Sequence, residues 1–227
     1  MAHPVLLLHG LAGSTATTWA SNGWLDLLTE GGRTPVGLDM LGHGDAPKPH
    51  DPAGYADLEA EVLGRAPEGV LDAIGFSMGA RTLLYLAATN PGRFEKLVVS
   101  GVGANLFDRD TNRHKAIADG IGGSPDENDT VAQYFSGLAR QPDVDAEALK
   151  ALLQRRGPEL TTEMIQSIDI PVLVALGDND FAGPATPLLD ALPNATHLEL
   201  KGCDHFATPK NFDFIDAALG FLDAQPF

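Results

Sequence analysis

The sequence contains little cysteine and few basic residues. Its one cysteine, Cys203, excludes an internal disulfide and a metal site built from several cysteines. Only 15 lysines and arginines oppose 31 aspartates and glutamates, which gives a formal net charge of -16. A nucleic acid or an anionic membrane would need a basic face on the protein, so we expect no nucleic acid and no membrane as a partner.

Long apolar runs are also missing from the sequence. No stretch approaches the roughly 20 consecutive apolar residues of a transmembrane helix. The first apolar stretch, residues 5–8, follows four residues that lack the basic segment of a secretory signal. We therefore expect this stretch to be a strand, and we expect the protein to be cytoplasmic.

Motifs for common cofactors are absent as well. The sequence has no phosphate-binding loop and no dinucleotide fingerprint, and its histidines and carboxylates match no recognised metal-ligand spacing. We therefore expect neither a cofactor nor a metal ion.

What the sequence does contain is a regular alternation of short apolar runs and helical patterns. This alternation is typical of βαβ units and predicts an α/β fold with a mostly parallel sheet. The chain is long enough for one domain with a continuous core, residues 1–227. Helices are predicted at residues 19–30, 55–65, 81–88 and 213–223. Strands are predicted at residues 3–8, 34–38, 70–76, 96–101, 171–176 and 196–200.

The alternation stops between residues 102 and 167. Polar and charged residues dominate this segment, and its apolar positions fit three or four short helices better than strands. A connection of this length is uncommon in a compact domain and usually has a function. We therefore predict a helical insertion, residues 102–167, within the single domain.

A serine between two glycines follows the third predicted strand. Ser77 lies in the sequence Gly75-Phe76-Ser77-Met78-Gly79, and a helical pattern begins soon after it. Glycines at these positions permit the sharp strand-to-helix turn that lifts a serine hydroxyl clear of a sheet. The strand, turn and helix together predict that Ser77 is a nucleophile, whereas the motif alone also fits a turn of small residues.

A serine hydroxyl needs a base to take its proton and a carboxylate to orient that base. His205 is the strongest candidate base because it follows the last predicted strand, at the carboxyl edge where open α/β sheets build their sites. Asp178 and Asp180 both follow the preceding strand, so either could orient His205. The residues alone leave this choice open.

Four parts of the chain together resemble the α/β-hydrolase fold, in particular its small serine esterases and lipases. The resemblance extends over nearly the whole chain and rests on the segments VLLLHGLAG, LDMLGHGDAP, IGFSMGA and LGDND with GCDHF. It implies a parallel sheet of about six strands flanked by helices, without the family's two N-terminal strands. It also implies that the insertion is a small helical lid.

The resemblance implies roles for particular residues. It favours Asp180 over Asp178 as the acid that orients the histidine. It places the oxyanion hole on the backbone N–H groups of Leu11 and Met78, whose dipoles would stabilise the negative charge that develops on the substrate oxygen.

Other residues have less specific interpretations. His9 and His43 lie in glycine-bearing loops and fit a structural role better than that of a base. Several apolar residues could line a substrate pocket, although ordinary packing of the lid would explain most of them as well. These candidates are Leu11, Leu106, Phe107, Tyr134, Phe135, Leu138 and Phe206.

The predicted function is a cofactor-free serine hydrolase that cleaves carboxylic esters of small molecules through an acyl-enzyme. Ser77 argues against the dehalogenases and epoxide hydrolases of this fold, because those enzymes use aspartate as the nucleophile. Thioesterase, carbon–carbon bond hydrolase and other acyl hydrolase activities would use the same triad and remain open. A ligand-binding module with vestigial catalysis is the alternative outside the enzymes.

Overall fold

Six parallel strands form one sheet in the described part of the chain. The computed structural model describes residues 2–108 and 110–225. The strands are β1 (Val5–Leu8), β2 (Pro35–Leu38), β3 (Leu71–Phe76), β4 (Phe94–Ser100), β5 (Val172–Gly177) and β6 (Ala195–Leu200). Their order is β2-β1-β3-β4-β5-β6, and every neighbouring pair runs parallel. This confirms the predicted α/β fold and its sheet.

Helices connect the strands and return the chain to the same end of the sheet each time. The helices described are α1 (Trp24–Glu30), α2 (Leu58–Arg65), α3 (Met78–Thr89), α4 (Thr111–Ile121), α5 (Thr130–Ala139), α6 (Ala146–Gln154), α7 (Thr162–Gln166), α8 (Thr186–Ala191) and α9 (Phe212–Phe221). Parallel pairing requires such crossovers. The carboxyl ends of all six strands therefore lie at one edge.

Two buried clusters cover the two faces of the sheet, because successive side chains of a strand point to opposite sides. On one face, Leu6 and Leu8 of β1 pack with apolar residues of α2, α3 and α8. On the other face, Val5 and Leu7 pack with Trp24 of α1 and with residues of α9. The helices thus hold the strands, and with them the loops at the carboxyl edge.

The four helices α4 to α7 connect β4 to β5, in the segment where the sequence predicts a helical insertion. Arg155, directly after α6, makes a bidentate ion pair with the buried Glu59 of α2, with N–O distances of 2.6 and 3.0 Å. The Tyr55 hydroxyl donates a hydrogen bond to the Ala148 carbonyl at 3.0 Å. These contacts tie α6 to the core. The role of the insertion as a lid stays a prediction.

One predicted helix differs in the structure, and one short helix was not predicted. A π-helical turn, Thr15–Trp19, and a 3-10 turn, Ala20–Asn22, precede α1, so residues 19–30 are not one helix. Gly23 interrupts the segment with φ +80°, a left-handed conformation that ends a helix. Helix α8 has no counterpart among the predictions, because six residues are too few to give a clear helical period.

Candidate active site

Three polar side chains meet at the carboxyl edge of the sheet. Ser77 follows β3, Asp180 follows β5 and His205 follows β6, so each lies beyond the carboxyl end of a strand. β3 and β5 are each paired with β4, and β6 is the neighbour of β5. Residues far apart in sequence are thereby brought into contact, as expected for sites in open α/β sheets.

The turn between β3 and α3 holds Ser77 in a strained conformation. Its φ of +53° and ψ of -112° are rare for a residue with a side chain. A Cβ on Gly75 would lie 2.7 Å from the backbone of Ala80, and a Cβ on Gly79 would lie 2.2 Å from the Leu8 carbonyl oxygen. Only glycine fits either position, which confirms the sharp turn predicted from the motif.

A continuous hydrogen-bonded chain joins the three side chains. His205 Nε2 lies 3.0 Å from Ser77 Oγ, and His205 Nδ1 lies 2.8 and 3.0 Å from the two carboxylate oxygens of Asp180. An ionised carboxylate only accepts hydrogen bonds, so the ring proton is on Nδ1. Nε2 is then free to accept the proton of the serine hydroxyl, which is the arrangement that activates a serine.

Aromatic rings hold the imidazole of His205 in this orientation. The Phe181 ring centroid lies 4.2 Å from that of His205, and the Phe76 centroid lies 4.9 Å from it. Phe206 contacts the imidazole edge-on at 5.5 Å. His205 is only 3% exposed, so little water competes for its hydrogen bonds.

The two candidate carboxylates have different environments. Asp180 is buried, and its Oδ1 also accepts a hydrogen bond from the Ala182 N–H at 2.8 Å, which fixes the carboxylate. Asp178 is exposed, and its charge acts on the solvent-facing Lys201. The structure therefore places Asp180, and not Asp178, against His205.

Two backbone N–H groups border the serine. Met78 is the first residue of α3, where an N–H group has no acceptor within the helix. Leu11 lines the cavity in front of Ser77, and its N–H has no acceptor among the described residues. An oxyanion hole formed by these two groups stays a prediction.

Two buried histidines connect the loops that follow β1 and β2. His9 Nε2 accepts a hydrogen bond from the Met40 N–H at 3.1 Å, and His43 Nε2 accepts one from the Ala12 N–H at 3.0 Å. The two ring centroids are 4.8 Å apart. Ala12 has φ +62°, so its bond to His43 helps to hold a left-handed residue directly after Leu11.

The tautomers of these histidines follow from their partners. Because both Nε2 atoms accept, both Nδ1 atoms carry the proton and donate, His9 to the Gly10 carbonyl at 2.8 Å and His43 to the Leu41 carbonyl at 3.0 Å. Burial lowers the pKa of the His9 ring. Burial, together with the neighbouring His9, lowers the pKa of His43 to about 3. Both are neutral structural residues, in agreement with the interpretation of the sequence.

A cavity of about 290 Å³ opens in front of Ser77. Five of the seven predicted pocket residues line it, namely Leu11, Tyr134, Phe135, Leu138 and Phe206. Tyr134 and Phe206 stack with ring centroids 3.4 Å apart and an angle of 18° between their planes. Helix α5 therefore contributes one wall of the cavity.

Leu106 and Phe107 do not line this cavity. Hydrogen bonds of the Ala104 and Asn105 N–H groups to residues 184 and 182 bend the chain after β4. Leu106 consequently packs against the core cluster of α2, α3 and α8, whereas Phe107 is 36% exposed. The prediction of pocket roles for these two residues was wrong.

Sequence reasoning missed several residues of the cavity. Phe181, which packs against the His205 ring without lining the cavity, was missed as well, although it follows the predicted acid directly. Ser21 and Asn22 were hidden by the wrong prediction of one helix over residues 19–30, and no signal in the sequence marks Gln141 or Lys210. The missed lining residues are Gly10, Ala12, Gly13, Thr17, Thr18, Ser21, Asn22, Phe76, Gln141, Pro209 and Lys210.

Metal-ligating clusters and membrane-spanning helices are not found in the described residues. No group of three or more His, Cys, Asp or Glu side chains in residues 2–108 and 110–225 could hold a metal ion. Within the same ranges, every helix is too short or too polar to cross a membrane.

Comparisons with known proteins identify the family. Residues 5–217 match the model of the alpha/beta hydrolase family. The chain is 27% identical over 192 residues to a pimeloyl-[acyl-carrier protein] methyl ester esterase of Neisseria meningitidis serogroup B, covering 73% of this chain and 69% of that one. Its fold is similar to that of a putative non-heme bromoperoxidase from Mycobacterium tuberculosis, with a TM-score of 0.73, 22% identity, and 97% and 92% of the two chains covered. An enol-lactonase from Burkholderia xenovorans gives a TM-score of 0.70 with 22% identity over 98% and 92% of the chains. The chain belongs to the alpha/beta hydrolase family and is a hydrolase.

Proposed function

We propose that this hydrolase cleaves carboxylic esters of small molecules through a covalent acyl-enzyme on Ser77. His205 takes the hydroxyl proton as Ser77 attacks the ester carbonyl, and it then donates that proton to the leaving alcohol. Asp180 holds the imidazole in the required tautomer. The N–H groups of Leu11 and Met78 stabilise the oxyanion. Water, activated by His205, releases the acid and restores Ser77.

The observation that carries this proposal is the hydrogen-bonded chain from Asp180 through His205 to Ser77. It supplies a nucleophile, a base and an orienting carboxylate without a metal ion or an organic cofactor. The names of the relatives add support, because one is an ester esterase and another is an enol-lactonase, both of which open an ester bond. We also propose that helices α4 to α7 form a lid over the site. The protein is proposed to act on its substrate in the cytoplasm.

The first test is the replacement Ser77→Ala, assayed with a short-chain activated ester such as para-nitrophenyl butyrate. Loss of the nucleophile is expected to lower kcat by at least about 1,000-fold, since serine hydrolases without their serine retain only the contribution of binding and the oxyanion hole. Ser167→Ala is the matched control, because the Ser167 hydroxyl is exposed and only bonds to the Met164 carbonyl. Turnover by Ser77→Ala equal to that of Ser167→Ala would refute the proposed mechanism.

A further inference from the structure

The cavity in front of Ser77 has two chemically different walls. Residues of α5 and the stacked Phe206 form an apolar wall. A polar wall comes from the segment after β1, with Thr17, Thr18, Ser21 and Asn22. A substrate that fills the cavity therefore meets both apolar surface and hydrogen-bonding groups.

Lys210 adds a positive charge to this cavity. Among the described lining residues, it is the one lysine, arginine, aspartate or glutamate. No ion pair of Lys210 is found in the described part of the chain, although acidic residues outnumber basic ones by 31 to 15. Asp204 lies nearby in sequence, but its carboxylate accepts the Ala207 N–H at 2.8 Å.

The turn that carries Lys210 is fixed by buried groups. The indole N–H of Trp24, which is fully buried, donates a hydrogen bond to the Pro209 carbonyl at 2.7 Å. The Thr208 hydroxyl donates to the Asp204 carbonyl at 3.1 Å, and the Lys210 N–H donates to the Ala207 carbonyl at 3.2 Å. The backbone of Lys210 is thus held at the rim, while its exposed side chain can adjust to a ligand.

The geometry points to a carboxylate-binding subsite at Lys210, so that the preferred substrates are compact esters that carry a second, ionised carboxyl group. The inference rests on the proposed ester hydrolysis at Ser77 and specifies its substrate class. A single ammonium group matches a singly charged anion, and the polar wall offers partners to the rest of a hydrophilic substrate. The cavity of about 290 Å³ is at the small end of ligand sites, which favours a compact molecule.

Two matched pairs of esters test the subsite. Monomethyl adipate and methyl hexanoate differ by a carboxylate in the acyl half, and para-carboxyphenyl acetate and its methyl ester differ by one in the alcohol half. The measured quantity is kcat/KM for the anionic ester divided by kcat/KM for its neutral partner. This ratio cancels general effects of a substitution on folding or on the triad.

Lys210→Gln is expected to lower the ratio about three- to tenfold in at least one pair, because a partly exposed ion pair contributes modestly. Lys210→Glu should lower it further, since it replaces attraction by repulsion. Raising the ionic strength should lower the ratio of the unmodified enzyme more than that of Lys210→Gln, because salt screens the charge. An unchanged ratio in both pairs for both variants would overturn the inference.

Lys201→Gln is the control, because Lys201 is exposed, pairs with Glu199 and lies outside the cavity lining. It removes the same charge from the protein and should leave both ratios unchanged. A fall equal to that of Lys210→Gln would show that net charge alone causes the effect, and would also overturn the subsite.

Binding to Ser77→Ala separates this inference from the proposed mechanism. Calorimetry of Ser77→Ala with each ester pair measures affinity without turnover. We expect the anionic ester of one pair to bind at least threefold more tightly than its neutral partner, and Ser77→Ala/Lys210→Gln to lose this preference. Failure of hydrolysis with the preference intact would reject only the mechanism, whereas hydrolysis without any preference would reject only the subsite.

Discussion

At the scale of single residues, the position of one carboxylate determines what His205 can do. Asp180 lies 2.8 Å from His205 Nδ1 and is itself fixed by the Ala182 N–H. An acceptor at this position keeps the proton on Nδ1 and leaves Nε2 free toward Ser77. In the proposed mechanism it also stabilises the imidazolium that forms when the serine proton is transferred.

Asp180→Asn is therefore expected to lower kcat by about 100- to 10,000-fold, because an amide can donate to Nδ1 and favour the wrong tautomer. The measurement is steady-state hydrolysis of an activated ester at neutral pH. Asp178→Asn is the matched control, since the same change at an exposed carboxylate should alter kcat less than about threefold. A larger loss from Asp178→Asn than from Asp180→Asn would contradict the assignment of the acid.

The sequence predicted Ser77 and His205 because their surroundings follow rules of local structure. Glycines around Ser77 permit a turn that few other residues allow, and His205 lies in the loop after the last predicted strand, at the carboxyl edge of the sheet. The choice between Asp178 and Asp180 came from the family resemblance alone. Burial and hydrogen bonds distinguish the two carboxylates in the structure. The sequence of a single loop that contains both residues shows neither burial nor hydrogen bonds.

Among the structural elements, the loops that follow β1 and β2 are hydrogen-bonded into one unit. His9 and His43 each accept a backbone N–H from the other loop, and the Asp39 carboxylate accepts the N–H groups of Thr15 and Asp45 at 2.7 and 2.8 Å. Burial opposes the charge of Asp39, but these hydrogen bonds outweigh it and lower the pKa of the carboxyl. The unit holds the backbone on both sides of Leu11.

Protonation of His43 would replace an acceptor by a donor that faces the Ala12 N–H, so the stability of the fold should depend on pH. The ordinary pKa of a histidine is about 6.5, and the pKa of His43 in the folded protein is about 3. Below pH 6.5 the unfolded chain therefore binds a proton at His43 that the folded protein does not bind. The unfolding free energy should then decrease as the pH is lowered, by up to about 2 kcal/mol between pH 6.5 and pH 5 from this residue. His9 contributes in the same direction.

Chemical denaturation of His43→Gln between pH 7 and 5 measures this contribution. The variant keeps an acceptor in place of Nε2 but does not titrate, so its unfolding free energy should decline less steeply than that of the unmodified protein by about 1 kcal/mol per pH unit. His197→Gln is the control, because His197 is exposed on β6. Equal slopes for His43→Gln and the unmodified protein would contradict a buried neutral His43.

Secondary-structure elements were predicted well where the sequence has a strong apolar pattern. They were predicted poorly where contacts between distant residues determine the conformation. Strands β1, β3, β4 and β5 are largely buried and apolar, whereas the outer strands β2 and β6 are only partly buried. Each of the six was predicted within about two residues of its bounds, the usual uncertainty of strand ends. The segment after β1 has helical composition, but Gly23 and the packing of Trp19 against Trp24 divide it into separate turns. Leu106 was misplaced because hydrogen bonds to residues 182 and 184 turn it into the core.

At the scale of the whole molecule, the order of the strands assembles the site. Ser77 and His205 are separated by 128 positions in the chain, yet the sheet brings their side chains to 3.0 Å. The insertion between β4 and β5 then adds α5 and its aromatic residues to the same edge. The pattern of strands in the sequence predicted that the site lies at this edge of the sheet. The walls of the cavity could not be predicted in the same way, because they depend on how the insertion packs.

The proposed mechanism makes Ser77 the activated nucleophile, and covalent labelling tests this role. The protein is treated with a fluorophosphonate, the adduct is located by peptide mass mapping, and the labelling rate is compared with that of His205→Gln. We expect one adduct, on Ser77, and labelling at least about 100-fold slower without the imidazole base. An adduct on another residue, or an equal rate in His205→Gln, would contradict it.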